Sequence, residues 1–154
     1  MTQVALVSRL SAVLLAATLF AGCRNLDVIT ESYATLAEAT AAGAVDRGWL
    51  PRGLPAGTRE LRIAHDLDSN RRWGLFNFPE AEGEALRALI GSEISFDGLT
   101  CSPPRRIEWW PVLLRERLDA ERIKSTGLRG YAAKDGLILA VNWAQGRAYY
   151  WTRE

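Results

Sequence analysis

Covalent chemistry needs a nucleophile and a base, and this chain offers one histidine, His65, and two cysteines, Cys23 and Cys101. A thiol becomes reactive when a base or a positive environment draws off its proton. One cysteine and one histidine, without a third group marked out to orient them, are a thin basis for such a pair. Asp66-Leu67-Asp68-Ser69-Asn70 sets oxygen donors at every second position, as at the start of a calcium loop. The rest of that loop is missing: Arg71 stands where the turn glycine belongs, Arg72 adds a second cation, and Asn77 replaces the bidentate glutamate. A solvated turn is the expected reading. Zinc wants three or four ligands, which His65 and one thiol cannot supply. No metal or cofactor is therefore expected, and no catalytic residue is assigned. An acid–base reaction would have to draw on a carboxylate such as Glu108 or Asp66, yet no carboxylate pair has a context that would split two pKa values. Glycine-rich phosphate loops, Gly-x-Ser-x-Gly elbows and His-Glu-x-x-His motifs are not found.

The aromatic residues are the other chemistry-bearing set. Trp49, Trp73, Trp109, Trp110, Trp143 and Trp151 are many for a small domain. An indole can stack on a sugar ring or anchor a protein partner; it can equally fill a core whose aliphatic content is modest, and that is the reading favoured for the set. Adjacent Trp109 and Trp110 cannot point the same way on a regular element, so one of them is expected at the surface. They stand as the speculative ligand-binding residues.

The elements that must position these groups read as follows. Thr35-Leu36-Ala37-Glu38 has capping-box spacing, and an alanine-rich helix follows until Gly43 or Gly48. Trp49-Leu50-Pro51 and Leu54-Pro55 form an apolar, proline-punctuated loop. Glu60–His65 and Trp73–Phe78 flank the Asp68-Ser69-Asn70 turn as a β-hairpin. Pro79 opens a helix to Ile90. Residues 92–106 are loop-like. A single helical turn in 108–114 and a short helix from Asp119 to Gly127 compete with one continuous helix over 111–125. Three closing strands follow: Leu128–Ala133, then Leu137–Trp143 after a turn at Asp135-Gly136, then Arg147–Arg153. The predicted class is α+β, an antiparallel sheet of about five strands with two or three short helices on one side.

The amino terminus carries the strongest signal. A single charge, Arg9, precedes an uncharged apolar stretch from Leu10 to Gly22, the layout of a secretory signal peptide. That stretch is shorter than the roughly 20 apolar residues a spanning helix needs. Leu19-Phe20-Ala21-Gly22-Cys23 resembles the lipobox of bacterial lipoproteins, although Phe20 departs from the usual leucine. The resemblance implies cleavage before Cys23 and acylation of its thiol and new amino terminus. Two or more acyl chains give stable anchoring, at about 0.8 kcal/mol per buried CH₂. Arg24, where an inner-membrane sorting signal would have aspartate, implies the outer membrane. Residues 23–32 are then a tether and 33–154 a single α+β domain. Cleavage removes only Arg9 among the charged residues and leaves a formal charge of zero on about 130 residues, so neither nucleic acid nor an anionic lipid surface is an expected partner. With Cys23 lipidated, Cys101 has no partner within the chain; it is either a buried apolar-like thiol, the favoured reading, or an exposed one.

Gly48-Trp49-Leu50-Pro51, His65-Asp66-Leu67-Asp68-Ser69-Asn70, Trp109-Trp110-Pro111 and Gly146-Arg147-Ala148-Tyr149-Tyr150-Trp151 together resemble small uncharacterised lipoproteins of Gram-negative bacteria. The resemblance implies localisation in the cell envelope and brings no activity with it. The expected protein is thus a lipid-anchored, non-enzymatic domain facing the periplasm, with the bilayer and an envelope protein or glycan as its partners. A cell-wall-directed hydrolase, or an inhibitor of one, is the alternative.

Overall fold

The computed structural model describes residues 28–154, and the stretch expected to be a signal peptide and Cys23 lie outside them. Strand β1 (Val28–Thr35) leads into helix α1 (Leu36–Ala41). The hairpin β2 (Arg59–Asp66) and β3 (Arg71–Asn77) follows, then helix α2 (Gly83–Leu89) behind a 3₁₀ turn at Glu80–Glu82. The short strands β4 (Glu93–Ile94), β5 (Thr100–Cys101) and β6 (Glu116–Arg117) precede helix α3 (Ala120–Ser125). Strands β7 (Leu128–Ala132), β8 (Leu137–Asn142) and β9 (Arg147–Thr152) close the fold.

Seven strands form one antiparallel sheet in the order β1-β2-β3-β9-β8-β7-β4, and β5 pairs with β6 apart from it. The predicted hairpin and the three closing strands are present. The two hairpins meet through β3 and β9, with Trp73 opposite Trp151 and Asn77 opposite Arg147.

Three expectations are corrected. Strand β1 starts at Val28, inside the stretch read as tether, and pairs with β2 from Val28–Asp66 to Thr35–Arg59. Its Val-Ile-Thr-Glu-Ser-Tyr-Ala-Thr sequence is polar on one side because an edge strand leaves that side in water. Secondly, the continuous helix over 111–125 does not form. A 3₁₀ turn at Val112–Leu114 and β6 interrupt it, and Asp119 caps α3 by accepting from the Arg122 amide at 3.0 Å. Thirdly, the helices do not gather on one side. Leu61, Ile63, Phe76, Leu139, Val141 and Tyr150 pack one face of the sheet against α1, the 44–54 loop and α2. Ala64, Trp73, Ile138, Ala140 and Trp151 pack the other face against α3 and the 96–118 segment. All six residues of β8 are buried, as a central strand covered on both faces requires.

The α1 cap forms nearly as its spacing predicts. Thr35 Oγ1 accepts from the Glu38 amide at 3.2 Å, while the Glu38 carboxylate reaches one residue further back, to the amide of Ala34 at 2.9 Å.

Candidate functional site

The residues singled out by type are placed in structural roles. Cys101 is fully buried among Trp73, Trp110 and their neighbours, and burial pushes its thiol up to about 12. The Trp73 indole and the charges of Arg71 and Arg115 oppose that shift in smaller measure. A thiol so held is neutral and carries no nucleophile at physiological pH. His65 sits on the opposite sheet face, pointing with Leu61 and Ile63, and is 7% exposed. Its Nε2 lies 3.1 Å from Asn70 Oδ1, its ring is 5.1 Å from Trp49, and its Nδ1 is buried without a partner among the described residues. Cysteine and histidine are thus on different sides of the sheet.

Asp66 accepts from the amides of Asp68 and Ser69 at 3.0 and 3.2 Å. Burial raises its carboxyl, but these amides and the Arg71 charge more than reverse that and hold it below the usual range. It is an ionised turn-former, the opposite of a general acid. Leu67, Asp68, Ser69 and Asn70 are exposed, with Asn70 at φ 54°, so the run forms the hairpin turn. Glu108 is exposed on the loop ahead of Trp109.

The indoles divide between core and surface. Trp110 is 2% exposed, stands edge-on to Tyr149 and Trp151, and donates its Nε1–H to the Leu114 carbonyl at 2.6 Å. It is a core residue, and that placement removes it as a ligand platform. Trp109 is half-buried against its edge, beside exposed Val112. Trp73 and Trp151 are buried. Arginines stack on the two remaining indoles: Arg47 over Trp49 at 4.0 Å, and Arg87 over Trp143 at 3.8 Å. Cation–π contacts of this kind occupy the faces that a sugar ring would need.

A concave site forms instead where sequence gave no motif. The 48–52 loop, the end of α2 and the β7–β8 turn enclose a pocket of about 320 Å³. Leu50, Pro51, Leu89, Ile90 and Leu139 make its walls, and Arg52, Arg72, Lys134 and Asp135 its polar edge. Arg72 reaches it from β3. Its guanidinium donates to the Gly48 carbonyl, lies 3.7 Å from Asp135, and keeps a buried Nε without a partner among the described residues. The neighbouring Tyr150 hydroxyl donates to the Trp49 carbonyl at 2.9 Å and pins the loop onto the sheet. Burial raises the Tyr150 phenol far above its ordinary value, against a smaller lowering by Arg72, so it stays a donor. The proline-rich loop was legible in sequence; its meeting with residues more than 80 positions away was not.

Comparison with known proteins adds one match. Residues 27–77 are similar to the family model of the YbbD head domain. That third of the chain is the β1-α1-β2-β3 unit, including Trp49, His65 and Arg72. Neither the curated proteins nor the solved structures returned a match.

Proposed function

We propose that this is a lipid-anchored envelope protein, held through acylated Cys23 at the periplasmic face of the outer membrane, whose domain binds a partner protein without catalysis. The observation that carries the binding role is the pocket beside Arg72. Its walls are aliphatic, with cations outnumbering the single acid at its rim. Such a site suits an apolar side chain lying next to a carboxylate. A glycan is the weaker fit, because sugars are held by flat aromatic faces and dense hydrogen bonding, and neither lines this pocket. The neutral thiol, the buried histidine and the turn-forming Asp66 also favour binding over a hydrolase.

Two measurements test the reading. Intact mass and membrane fractionation of wild type beside Cys23→Ser report on the anchor. Acyl mass on a chain beginning at Cys23, lost with membrane association in the variant, is the expected result. A photo-crosslinking residue at Ala88, exposed at the pocket edge, reports on the site. In cells it should give a discrete adduct that Lys134→Glu suppresses severalfold, while the same residue at Ala144 gives none. Equal adducts at both positions, or no effect of the charge reversal, would refute the pocket.

A further inference from the structure

We infer that the end of the sheet where β1 begins rests on an anionic bilayer surface. This inference rests on the Cys23 anchor. Four residues separate Cys23 from Val28, and the five Cα–Cα steps reach at most about 18 Å fully extended. The opposite end of β1 stands roughly 25 Å further along the strand direction. The anchor therefore selects which end of the molecule faces the headgroups.

That end has the chemistry for it. Val28 pairs with Asp66, so the β2–β3 turn, the start of β3 and the chain's last residues lie beside it. Leu67 projects from the turn at 52% exposure, one of two large apolar side chains so exposed among the described residues. Next to it a groove of about 650 Å³ runs between the sheet and the 102–107 loop. Val28, Asp66, Arg71, Trp73, Arg105 and Arg106 are among its lining residues.

The charges at this end are not evenly available. Asp66 is engaged by the amides of its own turn. Glu154 is paired with Arg71 and accepts from Ser102 through both the amide, at 2.7 Å, and the hydroxyl, at 2.9 Å. The β7–β8 turn lies at this end too, so the exposed acids here are Asp68 and Asp135, and Asp135 lies 3.7 Å from Arg72 and next to exposed Lys134. Arg105, Arg106 and Arg153 are exposed, and their side chains make no hydrogen bond or ion pair among the described residues. Outward charge at the tethered end is thus positive although the whole chain is close to neutral. Around the far end exposed acids (Glu38, Glu60, Glu80 and Glu84) are interleaved with exposed cations (Arg59, Arg87, Arg122 and Lys124), so that end has no comparable excess of positive charge. Arginines near an anionic leaflet attract it, and an exposed leucine between them can enter the interface. The groove, open beside Arg105 and Arg106, can receive a phosphate-bearing headgroup. The Arg72 pocket lies on the other face of the sheet at this same end, with Lys134 and Asp135 of the β7–β8 turn at its rim.

The test uses full-length acylated protein reconstituted in vesicles of phosphatidylethanolamine and phosphatidylglycerol. A polarity-sensitive dye is placed on Leu67→Cys or, at the far end, on Ala144→Cys, and nitroxide-bearing lipids act as quenchers. Cys101 is buried and stays unlabelled. The dye at position 67 should be quenched at least fivefold more than at position 144. Exchanging phosphatidylglycerol for phosphatidylcholine, or adding Arg105→Ala, Arg106→Ala and Arg153→Ala, should abolish most of the difference. Intact mass keeps the two ideas apart. A chain without acyl mass overturns the anchor and the orientation with it, whereas acyl mass with equal quenching at both positions overturns the orientation alone. Quenching unchanged in neutral vesicles, or in the triple variant, overturns recognition of anionic lipid. Shielding of position 67 in cells but not in vesicles assigns this end to a protein instead.

Discussion

The Cys101 thiol shows how burial alone decides a residue's chemistry. Its pKa rises from about 9 in the unfolded chain to about 12 in the fold. The folded state therefore keeps a proton that the unfolded state gives up between these values, and stability must fall across that window as pH rises. The Tyr150 phenol, also raised by burial, acts in the same direction. Denaturation midpoints taken from pH 8 to 11 should decline from about pH 9 upward, and less steeply in Cys101→Ala. Native protein at pH 8 should resist thiol alkylation until denaturant is added. Trp110 is the second residue whose role was open. Trp110→Ala removes a buried indole and its hydrogen bond, and should cost about 3–5 kcal/mol by urea denaturation. Trp109→Ala, at a half-buried site, should cost clearly less. Equal, small losses would return both indoles to the surface and revive them as a binding pair.

Among the elements, β3 depends on a glycine that no strand propensity would choose. A Cβ on Gly74 would overlap the Tyr150 ring, which lies across it from β9. The ring cannot simply move away, since its hydroxyl holds the Trp49 carbonyl. Gly74→Ala should therefore destabilise by about 1–3 kcal/mol, with the 48–52 loop loosened as well. Tyr150→Leu in the same chain should recover part of the β3–β9 contact but not the loop, which hydrogen exchange at residues 48–52 would show. The hairpins and the α1 cap were legible because their signals are local: turn residues at fixed offsets and an oxygen three residues before a glutamate. Strand β1 was not, because its pairing with residues 59–66 is long-range and only its inner side is apolar. Strands β4, β5 and β6 are two residues each, too short for any period to register.

Across the molecule, the second layer is tied to the sheet by the chain's last residue. Glu154 joins Arg71 of β3 to Ser102 and Thr100 of the covering segment. Partly exposed ion pairs contribute little, so Glu154→Gln should lower stability by about 1 kcal/mol or less. Hydrogen exchange should nevertheless accelerate over residues 100–107 and leave β8 unchanged. Acceleration spread over the whole sheet would mean that the contact supports the core rather than the groove.

Sequence alone carried whatever depends on neighbours along the chain: the signal-peptide pattern and lipobox resemblance, the turns, the caps and the antiparallel character of the closing strands. It also held an unused clue to the two-sided sheet. Ile138 and Ala140, which alternate with Leu137, Leu139 and Val141 along β8, are themselves apolar, so neither side of that strand was suited to water. Only tertiary structure could set Cys101 and His65 on opposite faces, seal Trp110 in the core, and bring Arg72 to a pocket built from three distant segments. The reason is that burial and charge partnership belong to the packed arrangement of segments remote in sequence. No single segment contains them.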